Sequence, residues 1–197
     1  MNRLKFILAF FISIMLVTAC NTQINNKYEL QQYSGDSNNG LIKEEKKGNI
    51  ITTAHYIPYQ LMFREPLDNG RIKSSIIHTN PSKIYFSVHF SKDGKELLTQ
   101  LNMDMYSEIL QTLSFRMTPF VSIRTDDGHE LSPLDCFFQQ TYGFSSNNEL
   151  LLIFDSAEIL KSEKYDLSIT EFGLGIGDLT YSFLSKDIEK LNRSINL

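Results

Sequence analysis

The chain of 197 residues has no tryptophan, only two cysteines and no excess of basic charge. Two cysteines, Cys20 and Cys136, supply no disulfide framework. Lys and Arg number 19 against 23 Asp and Glu, a formal charge of -4. A chain without a basic patch lacks the electrostatic footprint of a nucleic-acid binder. The four histidines, His55, His78, His89 and His129, are scattered, and no pair has the i, i+4 spacing of a helical zinc site. There is no Gly-x-Ser-x-Gly elbow for a serine nucleophile. The nearest serine cluster, Tyr142-Gly143-Phe144-Ser145-Ser146, reads as a turn after a strand. No apolar run reaches the roughly 20 residues that span a bilayer; the longest, Phe6 to Val17, holds about a dozen and contains Ser13.

What the N-terminus does have is an ordered series of signals. Arg3 and Lys5 precede the apolar run, and Val17-Thr18-Ala19-Cys20 closes it with small residues before a cysteine. A basic start, a short apolar stretch and a small-residue close are the parts of an export signal. Residues 17–20 resemble the bacterial lipobox: an aliphatic residue at −3, small residues at −2 and −1, then the cysteine that receives diacylglycerol. The resemblance covers residues 1–20 and implies cleavage before Cys20, lipid on Cys20, and attachment to a bacterial membrane. Two or more acyl chains anchor stably, at about 0.8 kcal/mol per buried CH₂. Asn21 is not the aspartate linked to inner-membrane retention, so the resemblance favours the outer membrane. Only Arg3 and Lys5 are charged within 1–19, so the remainder sets 17 basic against 23 acidic residues, a net charge near −6.

The organisation expected is a signal peptide at 1–19, a lipidated Cys20 with a flexible tether over 20–49, and a single β-sandwich domain over 50–197. The tether follows from Asn, Gln, Lys and Glu in number without periodic apolar positions. As a coil it spans roughly 30 Å. From Ile50 on, short runs rich in Ile, Phe, Tyr, Thr and Val alternate with turn residues. They predict strands at 50–56, 59–64, 71–78, 83–91, 95–101, 119–125, 134–142, 149–155, 165–172 and 178–184. Within 83–91, Ile84, Phe86, Val88 and Phe90 share one face; Tyr85, Ser87, His89 and Ser91 share the wet one. Leu150 to Phe154 is apolar throughout, as in a strand covered on both sides. Met103, Tyr106, Leu110 and Leu113 recur at helical spacing, with Asn102 or Asp104 to cap the start, predicting one crossing helix at about 102–113. A second short helix is expected at 186–191. The fold class is mainly β: an immunoglobulin-like or related antiparallel sandwich, with a helix-plugged barrel as the alternative.

Sites are weighed against simpler roles. Asp93-Gly94 and Asp127-Gly128 sit in look-alike stretches, which hairpin turns explain without a duplicated unit. Asp126, Asp127, His129 and Glu130 share one turn and lack a calcium-loop spacing, so no metal is assigned. Gly173-Leu174-Gly175-Ile176-Gly177 is followed by a strand pattern, not the helix a phosphate loop requires. Cys136, between Asp135 and Phe137, reads as a small hydrophobe. The densest aromatic stretch runs from His55 to Phe63 around Pro58, as on an edge strand or a bend between sheets, and makes Tyr56, Tyr59 and Met62 the candidate partner contacts.

These readings point to a lipid-anchored envelope lipoprotein acting as a non-catalytic binding or assembly module, without a cofactor. Its partners are the membrane, through lipid on Cys20, and another envelope protein or glycan. The alternative is a periplasmic inhibitor or immunity lipoprotein, whose acidity suits a basic target. An enzyme ranks third and requires a pocket that gathers His55, His89 or His129 with a carboxylate.

Overall fold

A computed structural model describes residues 23–62 and 82–195. The expected signal peptide at 1–19, Cys20, His78 and the expected strand at 71–78 lie outside them. The architecture is mainly β, two antiparallel sheets packed face to face. Strands β1 (Ile42–Lys47), β2 (Ile50–Ile57), β3 (Lys83–Lys92), β8 (Asn148–Asp155) and β7 (Asp135–Gln139) form the first sheet, in that spatial order. A two-residue strand, β4 (Lys95–Glu96), pairs with β3. The second sheet runs β10 (Leu179–Leu184), β9 (Lys164–Ile169), β5 (Val121–Thr125), β6 (Glu130–Leu131).

The alternating residues meet between the sheets. Phe86 and Phe154 from the first sheet face Tyr165 and Phe183 from the second, all fully buried. Phe86 and Phe183 centroids lie 5.1 Å apart, and Tyr165 stacks on Phe183 at 5.8 Å. Each such side chain contributes about 2 kcal/mol of burial, and aromatic pairing adds up to about 1.5 kcal/mol. The two Asp-Gly stretches are hairpin turns: Asp93 and Gly94 both take positive φ (50° and 74°) between β3 and β4, and Gly128 does so between β5 and β6.

The expected tether is corrected over most of its length. Helix α1 (Lys27–Gly35) starts on Asn26, whose Oδ1 accepts the Glu29 N–H at 2.9 Å while its Nδ2 donates to Glu29 Oε1. Ile24, Leu30 and Leu41 are buried in the core. β1 then pairs residue by residue with β2, from Ile42 opposite His55 to Lys47 opposite Ile50. With five charges in six positions, β1 is blunted in the manner of an edge strand.

That edge has two consequences. β2 is interior, and in the described part of the expected strand at 59–64 the chain is instead a single turn of helix, α2 (Tyr59–Met62). The outer face of β2 and β3 is covered, so Tyr85 and Ser87, expected on the wet face, are buried. The Tyr59 ring lies 6.5 Å from that of Tyr85, and His55 Nε2 bonds the Ser34 carbonyl in α1 at 2.8 Å.

Helix α3 (Met103–Phe115) is the expected crossing helix, capped by Asn102 Oδ1 on the Met105 N–H. Its buried face is Ile109, Thr112 and Leu113; Met103, expected inside, is 81% exposed. The expected strand at 95–101 stops at Glu96 and becomes a 3₁₀ turn over Leu98–Gln100. β8 is second from the sheet's edge, so Leu151 and Ile153 are half-buried instead of covered. Helices α4 (Ser156–Ile159) and α5 (Ser185–Ser194) complete the series.

Register assigns two ends to the sandwich. Ile42, Ile57, Lys83 and Asp155 lie at one end of the first sheet; Lys47, Ile50, Lys92, Gln139 and Asn148 lie at the other. Lys43 Nζ sits over the Phe183 ring and Glu45 accepts the Thr180 N–H, which aligns Leu184 and α5 with the first end. The chain enters there, since the Ile24 N–H donates to the Ser194 carbonyl at 2.8 Å. The loops after β7, β9 and β4 all lie at the far end.

Candidate functional site

His89 is brought beside a carboxylate, the arrangement an enzyme would require, with His55 nearby on β2. Cross-strand register sets His55 opposite Ser87 and His89 opposite Glu149. Ser87 Oγ donates to Glu149 Oε1 at 2.6 Å and lies 2.8 Å from His89 Nε2; His89 Nε2 is 3.8 Å from the same carboxylate. His89 beside it, with the Ser87 hydrogen bond, outweighs burial and holds the Glu149 carboxyl below the usual carboxylate range. Burial lowers the proton affinity of His55. The geometry is wrong for nucleophilic catalysis. Ser87 is 1% exposed, and the carboxylate meets the same imidazole nitrogen as the serine instead of orienting the ring from Nδ1. The cluster is a polar bridge between strands and α1.

The other candidates resolve similarly. Asp126 Oδ2 accepts the Glu163 and Lys164 N–H groups, Asp127 accepts from Thr125 Oγ1, and Glu130 pairs with Arg124. Among the described residues no group of three or more His, Cys, Asp or Glu is arranged to hold a metal. The N–H groups of Gly173, Gly175 and Gly177 do converge on an anion, but it is the chain's own Glu171 carboxylate. Cys136 is half-buried beside Thr118, and burial raises its thiol pKa.

Of the expected contact residues, Tyr56 is withdrawn into the core. Tyr56 is 6% exposed and packs edge-on against Phe86 at 6.0 Å. Tyr59 and Met62 are half-buried in α2. The reason is β1, which occupies the edge that this stretch had been expected to form.

Two exposed aromatics stand together at the far end, in the loop between β7 and β8, while Tyr28 in α1, Phe115 at the end of α3 and Phe137 in β7 are exposed elsewhere. Phe144 is 95% exposed and Tyr142 73%. Beneath them lies Glu96, 2% exposed. Its Oε1 accepts from Thr141 Oγ1 at 2.5 Å and the Ser145 N–H at 2.9 Å. Its Oε2 accepts the Gly143 N–H at 2.9 Å and Asn148 Nδ2 at 3.3 Å. Asn148 Oδ1 in turn accepts the Leu98 N–H. Burial alone raises the Glu96 pKa, but these hydrogen bonds prevail and hold the carboxyl below its ordinary value. Odd-numbered residues 141, 143 and 145 are thus turned inward onto one charge, and Tyr142 and Phe144 are turned out.

That arrangement carries a cost. Tyr142 is held at φ 52°, a region few side chains tolerate, and Gly143 follows at φ 85°. Such a residue costs on the order of 1–3 kcal/mol and persists only where surrounding contacts impose it. An exposed Phe also forgoes about 2 kcal/mol of burial. The loop rests on its neighbours: Gln140 Nε2 donates to Tyr106 OH of α3, and Gly143 sits against Thr99. Residues 97–103 and 139–148 include no Asp, Glu, Lys or Arg. These two segments are therefore uncharged and bear Tyr142, Phe144 and Met103, at an end that also holds Lys47, Lys92 and Lys95.

The fold and this loop define a class, an antiparallel β-sandwich with a buttressed aromatic loop at one end. No family model, curated protein or solved structure matches the chain. Sequence reasoning assigned 142–146 to a turn and passed over it. The available signal was ten uncharged residues mixing Tyr and Phe with Gly, Ser and Asn; nothing local marked Glu96 as its support.

Proposed function

We propose that the chain is a lipid-anchored envelope lipoprotein whose sandwich is a non-catalytic binding module for another envelope component. The observation that carries this reading is the loop at 140–147, where a buried carboxylate stabilises a strained backbone that presents two aromatic rings to solvent. Recognition sites are commonly loops set on a rigid scaffold, and a pre-ordered loop forfeits less entropy on binding. The inaccessible Ser87 supports binding over catalysis. The lipobox-like residues 17–20 support anchoring through Cys20, at the outer membrane by the character of Asn21. The inhibitor alternative relied on net acidity, and the exposed loop carries no charge to serve it.

Crosslinking of the full-length protein in its native membranes, followed by mass spectrometry, tests this. The expected result is one abundant partner, lost when Cys20→Ser releases the chain from the membrane. An unchanged capture by Cys20→Ser removes the anchor from the account; absence of any partner above background removes the binding role.

A further inference from the structure

A cavity of about 850 Å³ lies along helix α1, at the chain's entry end. We infer that it binds a neutral saccharide, stacked on the Tyr28 ring and held by the side-chain amides of Gln31, Gln32 and Asn39. This adds a second binding surface to the module and does not depend on the loop at 140–147.

The helix builds the site by its own period. Tyr28, Gln31, Gln32 and Gly35 recur at i, i+3, i+4 and i+7 and line the cavity, while Leu30 and Ser34 on the other face are buried. The Asn26 cap fixes the start of the helix, and the bond from the Ser34 carbonyl to His55 of β2 fixes its last turn. Tyr28 is 69% exposed, so its ring is offered to the cavity at no cost in packing. Asn39 Nδ2 donates to the Tyr33 carbonyl at 2.9 Å, which holds that amide in place and leaves its Oδ1 as an acceptor.

Gly35 is the residue the fold itself does not explain. Its backbone is helical, and a Cβ there would meet nothing within 4 Å. Neither turn geometry nor packing asks for glycine, which a helix disfavours relative to alanine. What the missing side chain provides is an open floor on the Tyr28 face, where a ligand ring can approach the backbone. Seven residues at 1.5 Å each make that floor about 10 Å long.

The chemistry selects the ligand. The volume falls within the roughly 300–1,000 Å³ of small-ligand sites. Among the described residues the lining holds two carboxylates, Glu29 and Asp36, and no Lys, Arg or His. A phosphate or carboxylate ligand would meet like charge there without a counter-ion. An acyl chain would strip water from the amides and carboxylates and return no hydrogen bond. A peptide strand finds no sheet edge, since α1 bonds its backbone internally. A saccharide suits every wall: its C–H face stacks on the Tyr28 ring, and its hydroxyls donate to carboxylates and pair both ways with amides. Ile24, also in the lining, is four residues from Cys20. With lipid on Cys20 it stands within about 14 Å of the headgroups. A free glycan and a glycolipid headgroup are therefore both within reach, and they share this chemistry.

Saturation-transfer NMR on the full-length chain tests the site. The probes are neutral trisaccharides of glucose, mannose, galactose and N-acetylglucosamine, with a uronic acid trisaccharide as the anionic control. The expected result is saturation of ring C–H protons in at least one neutral probe and none in the control. Tyr28→Ser and Gly35→Leu, the second placing a side chain in open space, should each weaken binding about tenfold at an unchanged melting temperature. Phe144→Ser should bind as wild type does, which keeps this site separate from the loop. No saturation from any neutral probe, equal saturation from the uronic acid, or undiminished binding in both variants overturns the inference. A benzophenone side chain at Ser37, beside the cavity, then identifies the source in native membranes. A saccharide adduct bearing lipid means a glycolipid, and one without lipid means a free glycan; a protein adduct, or none, overturns the inference.

Discussion

Glu96 and Gly143 lie 47 residues apart and are joined by one short hydrogen bond, from the glycine N–H to Glu96 Oε2 at 2.9 Å. Through it a buried charge in the β3–β4 hairpin sets the backbone of the β7–β8 loop. The same carboxylate takes three more donors, from Thr141, Ser145 and Asn148.

Glu96→Gln replaces an acceptor by an amide N–H facing two donors. We expect a loss of about 2–3 kcal/mol in urea unfolding, since hydrogen bonds to buried charges are worth that order. Hydrogen exchange at Gly143 and Ser145 should accelerate. The pH dependence follows from the lowered carboxyl pKa. Wild-type stability from this group is complete above the ordinary value of 4.5 and is lost as pH falls through the lower folded value. The gap between wild type and variant should therefore close in acid. A gap independent of pH would contradict the assignment.

Tyr142→Asn tests the strain. Asn tolerates the left-handed region that Tyr142 occupies at φ 52°. The variant should gain about 0.5–1 kcal/mol in thermal or chemical unfolding while capturing less partner. A variant that is less stable would mean that the ring is held by packing and not merely displayed.

His55 yields a second pH prediction, of the same sign, in a higher range. Burial lowers its folded-state pKa below the ordinary 6.5, with nearby His89 acting in the same direction. Between those values the unfolded chain binds more protons, so stability falls as pH drops through 6.5. His55→Gln keeps a donor for the Ser34 carbonyl without the titration. Chemical denaturation from pH 7.5 to 5 should show a steeper loss for wild type than for the variant; parallel curves would contradict this.

Tyr165 is fully buried and its hydroxyl has no hydrogen-bond partner among the described residues. Tyr165→Phe keeps the stack on Phe183 and removes an unsatisfied donor. The expected change is a stabilisation of about 1 kcal/mol, seen as a higher denaturation midpoint with an unchanged slope. A loss of stability would imply a bound water on that hydroxyl.

Alternation made most of the sandwich legible in the sequence. Ile84, Phe86, Val88 and Phe90 lie on the expected face, α3 starts on Asn102, and both Asp-Gly stretches turn hairpins. Segment 23–47 was not legible. Its core residues Ile24, Leu30 and Leu41 are too far apart to show a period, and the charged β1 is recruited by backbone pairing, which leaves no apolar trace. Misreading it moved the sheet edge by one strand and exposed Tyr56 on paper. The loop's support was hidden for another reason: register, not local pattern, brings Glu96 under Gly143 and Ser145.

The central claim is that Phe144 is displayed in order to be bound. Full-length wild type and Phe144→Ser should be used side by side to capture partners from native membranes, with quantitative mass spectrometry of each. The account predicts one protein depleted about tenfold or more in the variant, at equal melting temperature and equal membrane association. Identical partners at identical abundance would contradict it.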